Sequence, residues 1–116
     1  SPAFGVNPFD AFNEASAYQE GETLKRNLTR ALELYIVAGE AGIVPAMRKA
    51  ALLLNDDRFL LANPTQAVNW FEQAAEAGDS QAAYELGKML LSGRGVPRRD
   101  FSRAAIWLER AARQTD

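Results

Sequence analysis

The acidic, basic and glycine-rich clusters of this sequence each invite a chemical reading that their spacing tests. Asn55, Asp56 and Asp57 are adjacent oxygen donors of the kind that ligates calcium, but the remaining oxygen ligands of a calcium loop are missing. They read instead as the polar end of a helix. Glu72, Glu76, Glu85 and Glu109 invite comparison with the paired carboxylates of glycosidases, yet they are spaced as solvent-facing helix residues, with Glu72 and Glu76 an i, i+4 pair. Gly93-Arg94-Gly95 has the glycines of a phosphate-cradling turn, but it follows a helical segment rather than a strand, and no Gly-Lys-Ser/Thr is present. The 116 residues include no cysteine and no histidine. Thiol nucleophiles, thiolate or imidazole metal ligands, Ser-His-Asp triads and imidazole bases are therefore all absent. The expectation is a non-enzyme without metal or cofactor, whose work is binding.

Arg94, Arg98, Arg99 and Arg103 are the sharpest charge feature, with Arg110 and Arg113 beyond them. Only Asp100 and Glu109 oppose these six arginines, whereas residues 1–25 hold four acids and one lysine. Such asymmetry could steer an acidic partner, a phosphate or nucleic acid, or align molecules head to tail. The plainer reading, a solvated loop and helix face, is favoured because aromatic residues for base stacking are not interleaved. With 13 basic and 15 acidic residues, the chain as a whole has no strong attraction to nucleic acid or to an anionic membrane. No run of 18 apolar residues exists, so no membrane span is expected. The absence of cysteine leaves the redox compartment open. The sequence opens Ser1-Pro2 and not with methionine, the expected pattern of a processed chain or an excised segment.

The elements that must position these residues are written as a repeat. Ala31, Leu34, Tyr35, Ala38 and Gly42 recur as Ala67, Trp70, Phe71, Ala74 and Gly78, and again as Ala104, Trp107, Leu108 and Ala111. That period, 36 residues and then 37, is the signature of a solenoid of paired helices. Stacked helix pairs make an extended concave surface and rarely a closed catalytic pocket.

Punctuation places six helices. Pro8 starts the first, after an extended tail over 1–7 whose Phe4 and Val6 are candidates to dock on it. Asn27 caps the second, Pro45 opens the third, Asn63-Pro64 with Gln66 opens the fourth in the manner of a capping box, and Asp100 caps the sixth. Gly21, Gly39 with Gly42, Gly78 and Gly93-Arg94-Gly95-Val96-Pro97 are stops. The predicted first helices of the repeats are 8–20, 45–56 and 80–92, and the second helices 28–41, 64–77 and 101–114. The units are repeat 1 over 8–43, a degenerate repeat 2 over 44–79, and repeat 3, the best formed, over 80–116. Ala82 and Gly87, with Ala74, Ala75, Ala111 and Ala112, are small where helices must approach. Trp70, Phe71 and Trp107 are the large residues expected to fill the space beside them.

The stretch Ala82-Ala83-Tyr84-Glu85-Leu86-Gly87-Lys88-Met89-Leu90-Leu91-Ser92-Gly93-Arg94-Gly95-Val96, followed by Asp100, Ala104, Trp107 and Ala111-Ala112, resembles a Sel-one-like repeat, a subclass of the tetratricopeptide family. Ala74-Ala75-Glu76-Ala77-Gly78-Asp79 is similar to the end of the same unit. Repeat 2 departs from the pattern with Ala51, Leu54 and Asp57 in place of glycine, an aromatic and the loop glycine; repeat 1 has Ala15 at the glycine position.

The resemblance implies an all-α, right-handed solenoid of antiparallel helix pairs whose first helices line the concave side and hold a protein partner. Carried over by register, the groove positions are Phe12, Ser16 and Gln19 in repeat 1, Arg48, Leu52 and Asn55 in repeat 2, and Gln81, Tyr84, Lys88 and Leu91 in repeat 3. This mix of aromatic, cationic and amide side chains suits a bound peptide. Tyr84 and Phe12 are either anchors for the ligand or packing between adjacent first helices. The resemblance also implies a bacterial setting, with periplasm or secretion favoured over cytoplasm. It admits an alternative, an envelope module associated with polysaccharide or secretion machinery, in which Trp70, Trp107 or Tyr84 stacks on a sugar. Ile106 stands at the register of Glu33 and Asn69, so the last helix is apolar where earlier ones are polar. Three readings stay open for it: contact with another subunit, contact with further chain, or burial on the preceding helix.

Overall fold

A computed structural model describes residues 7–114. Within them the chain forms α1 (Pro8–Glu20), α2 (Leu28–Glu40), α3 (Val44–Leu54), α4 (Pro64–Glu76), α5 (Ser80–Ser92) and α6 (Phe101–Gln114), with no strand among the described residues. Phe4 and Val6 lie outside the described residues. The helix starts follow the local chemistry. Asn7, Asn27, Asn63, Asp79 and Asp100 each accept a hydrogen bond from a backbone N–H in the first turn of the helix that follows. Each bond satisfies one of the donors that a helix start leaves without an intrahelical partner.

The third helix ends two residues earlier than the spacing predicts. Asn55 is its C-cap, and Asp56 belongs to a turn in which its carboxylate accepts from the backbone N–H of Arg58. An Asp side chain that satisfies the backbone in this way competes with helix continuation.

Each helix packs chiefly on its neighbours in sequence, and the molecule is elongated, 41 × 28 × 28 Å. That is the contact pattern of a solenoid, in which each unit touches only the next. The repeated positions form the core: Ala31, Tyr35 and Ala38, then Ala67, Phe71 and Ala74, are all fully buried. Close approach is real at two glycines. A methyl group built at Gly87 would lie 2.6 Å from Cγ and Cδ2 of Leu108, so α5 and α6 touch with Leu108 seated in the notch. At Gly39 the same methyl would lie 3.0 Å from the ring of Trp70 and 3.3 Å from Met47 Cγ.

Candidate functional site

Tyr35 of α2 is buried, and its hydroxyl must be satisfied without water. It donates to Gln19 Oε1 at 2.5 Å, which leaves its oxygen to accept from Ser16 Oγ at 3.2 Å. Burial raises the Tyr35 pKa above its ordinary value, the Ser16 bond acts against that shift, and the nearby Glu20 charge adds to it. Phe12 packs on the same ring with centroids 5.8 Å apart. The three repeat 1 residues expected in the groove therefore sit around Tyr35, joining α1 to α2.

The remaining expected positions divide between a groove and its surroundings. A cavity of about 660 Å³ is lined by Arg48, Leu52, Ser80, Gln81, Tyr84, Glu85, Leu108, Ala111 and Ala112. Arg48 and Leu52 come from α3, Gln81 and Tyr84 from α5; these are four of the positions carried over by register. Arg48 is held by Asp79, whose Oδ2 accepts from Nε at 2.9 Å while Oδ1 caps the Ala82 N–H at 2.8 Å. One carboxylate thus starts α5 and ties it to α3. Tyr84 is 50% exposed; Lys88 Nζ lies 4.5 Å from its ring centroid and 3.0 Å from Glu85 Oε2. The cation over the ring favours one ring orientation at the groove edge.

Asn55, Lys88 and Leu91 do not line this cavity. Asn55 is occupied by Arg94, whose Nε donates to its Oδ1 at 2.7 Å and whose Nη2 donates to its carbonyl at 3.0 Å. Arg94 Nη2 also reaches Asp57 Oδ1 at 2.8 Å. The basic segment is thereby divided. Arg94 fastens the loop after α5 to the loop after α3, and Arg103 Nη2 meets Glu72 Oε2 at 2.5 Å between α6 and α4. Arg98 and Arg99 are exposed and form no ion pair among the described residues.

The acidic clusters resolve into the same kind of pairing. Asp56 is bonded by Arg58 through Nε and Nη2, and Arg58 lowers its pKa from 3.8 to about 2. Glu72 and Glu85 are partly buried rather than fully solvent-facing: Glu72 bridges to α6, and Glu85 lines the groove. The expectation of free surface carboxylates holds less well for these two, because α6 brings Arg103 to Glu72, and Glu85 pairs with Lys88 on its own helix beside the cavity.

Register with the first helices did not point to Leu108, Ala111 and Ala112, because α6 is a second helix. A signal was present: Ala111-Ala112 repeats Ala74-Ala75, but Ala75 is buried at 6% exposure whereas Ala112 is exposed. Ile106 lies elsewhere, 51% exposed in a smaller cleft of about 340 Å³ with Glu72, Glu76, Arg103, Trp107 and Arg110. Burial on the preceding helix is thus excluded for Ile106. Of the three aromatic platforms considered for sugar, Trp107 is buried at 8% exposure with Arg110 over its ring, and Trp70 is partly buried against Gly39. Only the Tyr84 ring is exposed.

Two solved structures share this arrangement of helices. The crystal structure of c5321, a protective antigen of uropathogenic Escherichia coli with an SLR fold, superposes with a TM-score of 0.90 at 24% identity, covering 98% of this chain and 24% of that one. A Sel1 repeat protein from Oxalobacter formigenes superposes with a TM-score of 0.87 at 26% identity, covering 95% of this chain and 45% of that one. The chain thus spans less than half the length of either. No curated protein matches the sequence significantly. The Sel1 repeat profile matches residues 11–43, 44–79 and 80–116. With three matches that run over nearly its whole length, on an all-α solenoid of paired helices, the chain belongs to the Sel1 repeat family.

Proposed function

We propose that this protein is a scaffold or adaptor that holds a peptide or a segment of a partner protein in the groove between α3, α5 and α6, and that it carries out no chemistry of its own. The observation that carries this reading is the groove itself: about 660 Å³, open to solvent, with the half-exposed Tyr84 on one wall. An aromatic ring that presents large area at small entropic cost is the usual centre of binding energy at such a surface. The charged groups there are already paired, Arg48 with Asp79 and Glu85 with Lys88, which suits recognition and leaves no free acid or base facing the cavity. Phe12, Ser16 and Gln19, all on α1, pack around Tyr35 of α2 and do not line this groove, while Leu91, 41% exposed near the end of α5, adds apolar surface on the helix that carries Tyr84.

The test is capture of partners from the source organism by the wild type and by the Tyr84→Ala, Lys88→Glu double variant. The variant is expected to lose the partner with its melting temperature nearly unchanged; undiminished capture would overturn the groove assignment. A bacterial envelope role beside polysaccharide or secretion machinery is the second reading. It draws support only from the exposed Tyr84 ring, since the two tryptophans are packed in.

A further inference from the structure

Neighbouring helix pairs are joined in two different ways. Between the pair α3–α4 and the pair α5–α6, three arginines reach carboxylates: Arg48 to Asp79 at 2.9 Å, Arg94 to Asp57 at 2.8 Å and Arg103 to Glu72 at 2.5 Å. Asp79 is also the cap of α5, and Arg94 holds Asn55, the C-cap of α3, through two further bonds. The first two ties are thus anchored at helix ends. Between α1–α2 and α3–α4, by contrast, no side-chain hydrogen bond or ion pair forms among the described residues; the bonds of Ser16 and Gln19 to Tyr35 and of Arg30 to Glu33 stay inside the first pair.

The residues 36 or 37 positions earlier account for the difference. Phe12 and Ile43 stand at the registers of Arg48 and Asp79, and Ile43 starts α3 without a side-chain cap. Ile36 and Gln66 stand at those of Glu72 and Arg103. Arg58 has the register of Arg94, but Gly21, at that of Asp57, has no side chain to meet it, and Gln19, at that of Asn55, is taken by Tyr35. Arg58 bonds Asp56 in its own loop instead. What holds this junction is apolar packing, with Met47 and Trp70 closing on Gly39.

We infer that the junction between α3–α4 and α5–α6 is an ionic latch that loosens as ionic strength rises, while the junction between α1–α2 and α3–α4 does not respond. The three ties differ in shelter. Arg94 with Asp57 and Arg103 with Glu72 are partly exposed, and at 1 M salt the screening length falls to about 3 Å, close to the length of the contacts themselves. Arg48 with Asp79, 21% and 12% exposed, is screened less and remains as the inner pin. Apolar packing at the other junction offers salt no charge to screen. The cavity lies across the latched junction, with Arg48 and Leu52 on one side and Gln81 and Tyr84 on the other. The latch therefore holds together the part of the molecule that carries the candidate site, and it does so whether or not that cavity binds a partner.

Hydrogen exchange of the full chain, followed by mass spectrometry at about 0.05 M and about 1 M sodium chloride, tests the latch. Amides of α5 and α6 are expected to exchange about threefold or more faster at high salt, and those of α1 and α2 to change by less than about 1.5-fold. In the Arg94→Gln, Arg103→Gln double variant, α5 and α6 are expected to exchange fast at both salt concentrations, with the helix content of the wild type by circular dichroism. Arg58→Gln, which removes the arginine tied within its own loop, is expected to keep the wild-type difference between low and high salt.

An equal salt response in α1–α2 and α5–α6, a response confined to α1–α2, or none in either pair overturns the inference in the wild type alone. A salt response that survives in the double variant overturns it as well, because the screened charges then lie elsewhere. Loss of the response in Arg58→Gln has the same consequence, since it makes the effect one of overall charge and not of the ties across the junction.

Discussion

At the scale of single residues, polar side chains act as fasteners between repeats. Arg48 with Asp79 joins α3 to the start of α5, Arg94 joins two loops through Asn55 and Asp57, and Ser16 and Gln19 satisfy the buried hydroxyl of Tyr35. Asp56 is a local case. Its carboxyl pKa lies near 2 because Arg58 bonds and attracts the ionised form. A depressed carboxyl favours the folded state above its unfolded value near 3.8, and that contribution disappears as pH falls toward 2. NMR titration of the wild type is therefore expected to place Asp56 near 2, and Arg58→Ala to return it toward about 3.9. Titration of both proteins at the same pH would remove Arg58 as the cause. Because the pair is local, with Arg58 exposed and Asp56 partly so, the variant is expected to melt at nearly the wild-type temperature at neutral pH.

At the scale of elements, every described helix but α3 starts at a side-chain cap, α3 starts instead at Val44-Pro45 after Ile43, and alanine-rich faces let neighbours approach. α6 is the most amphipathic in function: Ala104, Trp107 and Ala111 are buried, while Phe101 and Ile106 are exposed at 62% and 51%. Trp107 is its main anchor. Truncation to alanine removes a large buried ring and leaves a void that flanking helices only partly close, so Trp107→Ala is expected to cost about 3 to 5 kcal/mol in denaturant unfolding. A loss under about 1 kcal/mol would show that the ring is not part of the core. Leu108 contributes differently: its branch fills the notch above Gly87, so one residue both closes the α5–α6 contact and forms a wall of the groove.

At the scale of the molecule, contacts run from each helix to the next, so the two ends of the stack differ from its middle. The α1 end presents Asp10 and Glu14; the α6 end presents the open groove and, in a separate cleft, Ile106. Ile106 is half exposed at a register otherwise polar, and the expectation that it contacts another subunit is open to a direct test. Light scattering at rising concentration is expected to show mass increasing toward about 1 mM for the wild type and constant mass for Ile106→Arg. A strict monomer for both at that concentration would sink this contact.

The sequence by itself determined the repeat, the six helices and nearly all their ends. Those properties are local: an asparagine or aspartate that caps, a proline that fits the first turn, a glycine that stops, and apolar residues returning every three or four positions. It also sufficed for the family, and register brought four of the expected positions, Arg48, Leu52, Gln81 and Tyr84, to the lining of one cavity. Only the tertiary structure decided which polar residues are free. Whether Arg94 is a docking cation or a fastener depends on Asn55 and Asp57, about forty residues earlier in the chain and a few ångströms away in space. The same holds for Leu108 and Ala112. They stand at the registers of the buried Phe71 and Ala75 but are partly exposed and exposed, and exposure is a property of what lies on a surface, which no periodicity along one helix records.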